Sequence, residues 1–98
     1  MKYFDWDEGK NLKLKIERGI GFEDIQVAIE AGKLLDITDH PNKNKYPNQK
    51  MFVVEIDDYA YLVPFVEDEE KVFLKTIFPS RKATKKYLFQ RKGKNEIL

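Results

Sequence analysis

Apolar and polar positions recur with the spacing of helices near the N-terminus and with the spacing of strands in the middle of the chain. Residues 3–6 predict a short strand. A helix follows, beginning at Asp7 or at the capping box Asp5-x-x-Glu8, and Gly19 ends it. Because its few apolar positions stand among lysines, we expect this helix to lie on the surface.

A second amphipathic helix is predicted by four apolar residues at helical spacing: Phe22, Ile25, Ala28 and Ile29. Gly32 ends this helix, and its apolar face is expected to pack on the core. The aromatic side chains of Phe4 and Trp6 are expected to anchor the first strand to it.

Four runs rich in β-branched and aromatic residues predict strands: residues 34–37, 50–56, 59–66 and 71–78. A loop with several prolines and asparagines, residues 38–49, separates the first of these from the second. Two short acidic connections, Asp57-Asp58 and residues 67–70, join the last three strands into an antiparallel meander. Pro64 cannot donate a ladder hydrogen bond, so its strand either carries a bulge or offers that position to an open edge.

The end of the chain predicts one more helix, residues 81–90, with Ser80 as a suitable N-cap. A chain of 98 residues has room for one core, so we assign residues 1–90 to a single domain and residues 91–98 to a basic tail. The predicted fold class is α+β: a small single domain whose N-terminal helices pack on an antiparallel sheet, with a basic C-terminal helix.

The formal net charge of +1 conceals two parts of opposite sign. Residues 71–98 hold nine Lys or Arg and one acidic residue, whereas residues 1–70 hold nine basic and sixteen acidic residues. Clustered basic side chains are typical of surfaces that bind phosphate. A lysine-rich helix is also often only a solvated face, so the charge alone leaves both interpretations open.

The residue types present exclude several classes of chemistry. The chain has no cysteine, which rules out disulfides, thiolate metal sites and thiol nucleophiles. Its one histidine, His40, is expected to be an exposed loop residue. We therefore expect neither a metal nor another cofactor. The sequence shows no apolar leader and no stretch of membrane-spanning length, which predicts a cytoplasmic protein with no membrane contact.

Three motifs follow one another along the chain: Phe4-x-Trp6-Asp7-x-x-Lys10-Asn11, Arg18-Gly19-Ile20-x-Phe22-Glu23-Asp24, and Ser80-Arg81-Lys82-Ala83-Thr84 with Tyr87. With the strand-rich middle between them, the chain resembles the BrnT family of bacterial toxins. The resemblance implies a RelE-like fold and a small cytoplasmic endoribonuclease that inhibits growth. It also implies a cognate antitoxin that neutralises the toxin and whose own domain binds promoter DNA.

This chain departs from the family pattern at positions that matter for chemistry. Arg18 stands where the family usually has a histidine, and Lys50 and Thr76 stand where it has arginines. Lys75 would replace the second arginine only if a bulge shifts the register, because neighbouring strand residues face opposite sides of a sheet. The departures leave a second interpretation open, a non-catalytic RNA- or protein-binding module of the same fold.

RNA cleavage without a metal requires activation of the 2′-hydroxyl, stabilisation of the phosphorane's charge and protonation of the leaving 5′-oxygen. A planar guanidinium matches two phosphate oxygens, so Arg81 at a helix N-terminus is the first catalytic candidate. The other catalytic candidates are Lys50 and Lys75 for charge and Glu55 for proton transfer, with Tyr61 and Tyr87 as alternatives to Glu55. The candidate RNA-binding residues are Lys82, Lys85, Lys86 and Arg18.

An antitoxin that silences a basic RNA-binding surface must cover that surface or imitate its phosphate ligand. We therefore expect an acidic or helix-rich antitoxin segment across the sheet and residues 80–92. A toxin homodimer within the toxin–antitoxin complex is compatible with this arrangement.

Overall fold

A mixed sheet carries helices on both of its faces. The computed structural model describes residues 2–89. Within that range the elements are β1 (Tyr3–Asp5), α1 (Glu8–Arg18), α2 (Phe22–Glu30), β2 (Leu34–Asp39), β3 (Lys50–Ile56), β4 (Tyr59–Glu67), β5 (Lys71–Leu74), β6 (Phe78–Pro79) and α3 (Arg81–Thr84), which continues as a π-helical turn (Lys85–Phe89). The described residues thus form a small α+β domain with three helices and six strands. The predicted tail, residues 91–98, lies outside them.

The strands lie in the order β1-β5-β4-β3-β2, and β6 pairs with β4 beyond the end of β5. The meander predicted for the last three strands is confirmed, because β3, β4 and β5 pair antiparallel. The prediction of an entirely antiparallel sheet is wrong, since β1 lies parallel to β5 with Phe4 opposite Val72. The long connection from β1 to β5 leaves the strand direction free, whereas a short turn would have imposed an antiparallel pair.

The strand predicted at residues 71–78 is interrupted. Leu74 pairs with Phe65 and Phe78 pairs with Leu62, so one strand has three residues between these pairs and β4 has two. Pro64 lies at the break: its carbonyl accepts a hydrogen bond from the Lys75 N–H, but it has no N–H to return. The expectation of a bulge or an open edge in the strand of Pro64 is wrong, since β4 is internal and pairs with β3 without interruption. The extra residue lies in the neighbouring strand instead.

The core on one face of the sheet joins both N-terminal helices to the central strands. Its buried residues are Leu14, Ile20, Phe22, Ile25, Ala28, Phe52, Val54, Val63, Phe65, Leu74 and Ile77. Trp6 stacks on Phe22 of α2 with ring centroids 5.7 Å apart, and Phe4 packs edge-on against Phe52 of β3. The prediction that the N-terminal helices pack on the sheet is confirmed.

The opposite face is covered by α3 and the π-helical turn. A second apolar cluster there contains Val53, Ala60 and Ala83, with Leu35, Leu62 and Tyr87 packed against it. The predicted α-helix at residues 81–90 is α-helical only as far as Thr84, and Gln90 lies outside the described residues. A second boundary also differs from the prediction, since β2 extends two residues further, to Asp39, and carries a bulge between Leu34 and Asp36.

Helix α1 begins and ends as its sequence predicts. The Asp7 side chain accepts a hydrogen bond from the Lys10 N–H, and Gly19 ends the helix in the left-handed region at φ 69°. Ile16 is 77% exposed, which confirms the expectation that this helix lies on the surface.

A buried amide joins α1 to α2. The Asn11 side chain is 2% exposed; its Oδ1 accepts the Phe22 N–H at 2.7 Å and its Nδ2 donates to Glu23 at 2.9 Å. Hydrogen bonds from Asn11 and Lys15 lower the pKa of Glu23 to about 2. Gly21 lies against this group, where an added Cβ would come within 2.9 Å of Asn11 Oδ1. The Asn11 motif and the glycines of the second motif therefore build the junction between the two helices.

The β3–β4 hairpin closes with a two-residue turn in an uncommon backbone conformation. Asp57 and Asp58 have φ values of 52° and 64°, as a type I′ turn requires. Glycine, asparagine and aspartate tolerate this region best, so the Asp-Asp pair is compatible with the tight turn.

Replacing Asn11 with leucine is expected to destabilise the domain by about 1–3 kcal/mol, because a side chain of similar size leaves the buried Phe22 N–H without an acceptor. Urea unfolding would measure the loss. As a control, Lys15→Ala removes only the exposed ion pair with Glu23 and should cost less than about 1 kcal/mol. Equal losses in the two variants would show that the buried amide does not hold the helices together.

Two substitutions at Asp58 test the turn. Both Asp58→Gly and Asp58→Ala remove the side chain, but only glycine adopts positive φ without strain. The glycine variant should therefore have a free energy of unfolding about 1 kcal/mol higher than the alanine variant. Identical unfolding curves would indicate that residue 58 is not held at positive φ in solution.

Candidate nucleic-acid interface

Residues 81–89, hereafter the basic segment, are fixed to the sheet at their N-terminal end by Ser80 and Thr84. Ser80 Oγ accepts the Ala83 N–H at 3.0 Å, and its own N–H donates to the Ala60 carbonyl at 3.0 Å. The buried Thr84 hydroxyl donates to the Ser80 carbonyl and accepts the Ala60 N–H at 2.9 Å. These bonds place the start of the segment beside the β3–β4 turn.

The second attachment of the basic segment is at Tyr87. Its hydroxyl donates to the Asp36 carboxylate on β2, and the same carboxylate accepts the Ile37 N–H. The hydrogen bond from Tyr87 lowers the pKa of Asp36, and the same bond raises the pKa of Tyr87. Tyr87 therefore stays protonated at neutral pH, which makes it a hydrogen-bond donor rather than a base.

Four cations project from the attached segment: Arg81, Lys82, Lys85 and Lys86. All four side chains are exposed, and none forms an ion pair with another residue in the range 2–89. Ala83, Thr84 and Leu88 of the segment are buried against the sheet while its cations face solvent. The arrangement leaves a row of positive charge open to a phosphate ligand.

A cleft of about 480 Å³ opens near the same end of the sheet. Its lining residues are Arg18, Gly19, Ile20, Asp24, Val27, Ala28, Glu55, Ile56, Asp57 and Tyr61. Three candidate residues from the sequence analysis line this cleft: Arg18, Glu55 and Tyr61. Strand alternation places the Glu55 side chain on the face of Val53, opposite the face of Tyr61, so Glu55 borders the cleft through its backbone.

Arg81 lies close to this group of residues along the sheet. Pro79 pairs with Tyr61, and the Ser80 N–H donates to the Ala60 carbonyl. Arg81 therefore follows next to the end of β4 that carries Ala60 and Tyr61. The structure therefore brings the four residues to one end of the sheet but divides them between its faces. Tyr61 and Arg18 lie on the face of α1 and α2, whereas Glu55 and Arg81 belong to the face that the basic segment covers.

Lys50 and Lys75 lie at the other end. Lys50 precedes Glu55 by five residues on β3, which separates them by roughly 16 Å. The Lys75 N–H bonds to Pro64, next to the Phe65 that opposes Lys50. The bulge that would allow Lys75 to replace the second family arginine is present. The Lys75 ammonium, however, lies 5.5 Å from the centre of the Phe73 ring, at the end of the sheet away from Arg81. The four catalytic candidates consequently form two groups.

Two residues that position the basic segment were not foreseen. Thr84 stood within a recognised motif, but its bond to Ala60 joins positions far apart in the chain. Asp36 had a weak signal, a carboxylate inside the apolar run of residues 34–37. Nothing in the sequence connected it with Tyr87.

His40 is partly buried in the loop after β2, so the expectation that it is exposed holds only in part. Its ring packs against Tyr46, and its Nδ1 accepts the Asn42 N–H. Among residues 2–89, no group of three or more His, Asp or Glu side chains is arranged to hold a metal ion. In the same range, no helix combines the length and apolar character needed to cross a membrane.

Comparison with known proteins returned no match to a family model, to a curated protein or to a solved structure.

Proposed function

We propose that this protein is the toxin of a type II toxin–antitoxin system, a metal-independent endoribonuclease of the BrnT type with a RelE-like fold. The observation that supports the proposal most is the basic segment, whose four exposed cations project from a scaffold attached to the sheet at both Thr84 and Tyr87. Attachment reduces the freedom that these side chains lose on binding, which favours a phosphate ligand. The proposal places the protein in the cytoplasm with its RNA.

Arg81 is the residue that we assign to the scissile phosphate. In the proposed reaction the 2′-oxygen attacks the adjacent phosphorus, the bond to the 5′-oxygen breaks, and a proton moves from the 2′-hydroxyl to the leaving oxygen through protein or water groups. The Arg81 guanidinium would stabilise the charge that develops on the non-bridging oxygens. Glu55 is the candidate for proton transfer on the face that the basic segment covers, since it pairs with Ala60, whose carbonyl accepts the Ser80 N–H. Tyr61, the alternative, lies on the opposite face of the sheet.

The remaining cations would contact the RNA on either side of the cleaved bond. Lys82, Lys85 and Lys86 extend from Arg81 along the basic segment. Arg18 borders the cleft on the opposite face of the sheet, so RNA would reach it only by passing around the β3–β4 turn. Lys50 and Lys75 stay predictions as catalytic cations; at the opposite end of the sheet from Arg81 they would contact a more distant part of the RNA strand. An acidic antitoxin segment that covers residues 81–89 would neutralise the toxin by occupying the same surface.

The separation of Arg81 from Lys50 and Lys75 favours one alternative, a non-catalytic RNA-binding module. In such a module the basic segment would bind RNA, and no second catalytic cation would be needed beside Arg81. The two candidates differ in one result: the toxin cleaves RNA, whereas the module only binds it.

We expect purified protein to cleave single-stranded RNA in the presence of EDTA and to leave 2′,3′-cyclic phosphate and 5′-hydroxyl ends. Arg81→Ala should reduce the cleavage rate by about 100-fold, the usual loss when one donor to a developing oxyanion is removed. Its thermal stability should not change, because Arg81 is exposed. Gel analysis of end-labelled RNA measures the rate.

The matched control is Lys13→Ala, which also removes one exposed cation but from the surface of α1, outside the proposed site; it should retain the wild-type activity. RNA with a 2′-deoxy group at the cleaved position should remain intact. Cleavage by Arg81→Ala at the wild-type rate would remove Arg81 from the site. Binding of RNA without cleavage by the wild-type protein would establish the alternative.

A further inference from the structure

Lys85 and Lys86 are the two residues between the attachment points of the basic segment. Thr84, which precedes them, is bonded to Ala60 on β4, and Tyr87, which follows them, is bonded to Asp36 on β2. The π-helical turn begins between the two attachments, at Lys85. Such turns are rare and often lie at functional sites. The backbone of both lysines is therefore fixed between one attachment to β4 and another to β2.

The side chain of Lys86 also depends on this attachment. Its ammonium lies 5.2 Å from the centre of the Tyr87 ring. The Tyr87 ring in turn packs against the second apolar cluster, which limits its movement. A lysine side chain carries about 2 kcal/mol of rotamer entropy. Because the contact with Tyr87 already restricts the Lys86 side chain, less of this entropy is lost when it binds a ligand.

We propose that Tyr87 and Asp36 act as a positioning pair that holds Lys85 and Lys86 where they contact RNA phosphates. The inference rests on the proposed function, because it identifies how the RNA-binding surface is held. Neither Tyr87 nor Asp36 contacts the RNA in this account. The hydroxyl of Tyr87 acts through the placement of the π-helical turn, and the carboxylate of Asp36 supplies the acceptor.

The number of phosphate contacts can be measured from the salt dependence of RNA binding. For a single strand, each phosphate contact contributes about 0.7 to the slope of log affinity against log salt concentration. The probe is a short fluorescein-labelled 2′-O-methyl RNA, which lacks the 2′-hydroxyl and is not cleaved. Fluorescence anisotropy between roughly 0.05 and 0.5 M salt gives the slope for each variant.

Lys86→Ala should lower the magnitude of the slope by about 0.7. Tyr87→Phe, which removes only the hydroxyl, should lower the slope by at least as much. Its affinity at roughly 0.05 M salt should be weaker by about 8-fold or more, the effect of one lost contact relative to 1 M salt. In the double variant of Lys86→Ala and Tyr87→Phe, the slope should fall by less than the sum of the two single changes, because both substitutions affect the same phosphate contact. Tyr46→Phe, which removes a hydroxyl from the distant loop of residues 40–49, should bind as the wild type does.

Two substitutions at Asp36 separate positioning from general destabilisation. Asp36→Asn keeps an acceptor oxygen for the Tyr87 hydroxyl and should retain the wild-type slope, whereas Asp36→Ala should behave like Tyr87→Phe. A wild-type slope in both Tyr87→Phe and Asp36→Ala would overturn the inference while leaving the proposed function intact. Absence of RNA binding by the wild-type protein would overturn the proposed function, and this inference with it.

Discussion

The pairing of β3 with β4 forms the middle of the sheet, and helices pack on both of its faces. Seven consecutive residue pairs join the two strands, from Lys50–Phe65 to Ile56–Tyr59, and the turn at Asp57-Asp58 fixes their register. A shift of one residue would move every side chain to the other face of the sheet. One face would then lose the core that holds α1 and α2, and the other would lose the surface that receives the basic segment.

Pro64 connects this hairpin to the candidate site. Because the proline has no N–H, the neighbouring strand leaves the ladder after Leu74 and resumes at Phe78, one residue out of step with β4. The chain therefore reaches Ser80 beside Ala60, at the turn end of the hairpin. Arg81 consequently lies at the turn end of the sheet, whereas Lys50 and Lys75 remain at the other end. A single residue in the sheet thus decides which cations lie together.

The features that local chemistry determines could be predicted from the sequence. The Asp7 cap, the Gly19 end of α1, the strand at residues 50–56 and the Ser80 cap each depend on neighbouring residues, and the structure has all four. Features that join distant positions could not be predicted. The parallel pairing of β1, the bond between Tyr87 and Asp36, and the change from α- to π-helix after Thr84 depend on which surfaces meet in three dimensions. For the same reason the residue types of the candidate site were evident, but their division into two groups was not.

Growth of a bacterial host during induced expression shows whether the protein is a toxin. The account predicts that the wild-type chain arrests growth, that co-expression of the product of the adjacent gene restores it, and that Arg81→Ala accumulates to the same level without arrest. Protein from both cultures should show the same thermal unfolding, so that loss of toxicity is not loss of folding. Undiminished growth of cells that accumulate folded wild-type protein would contradict the account.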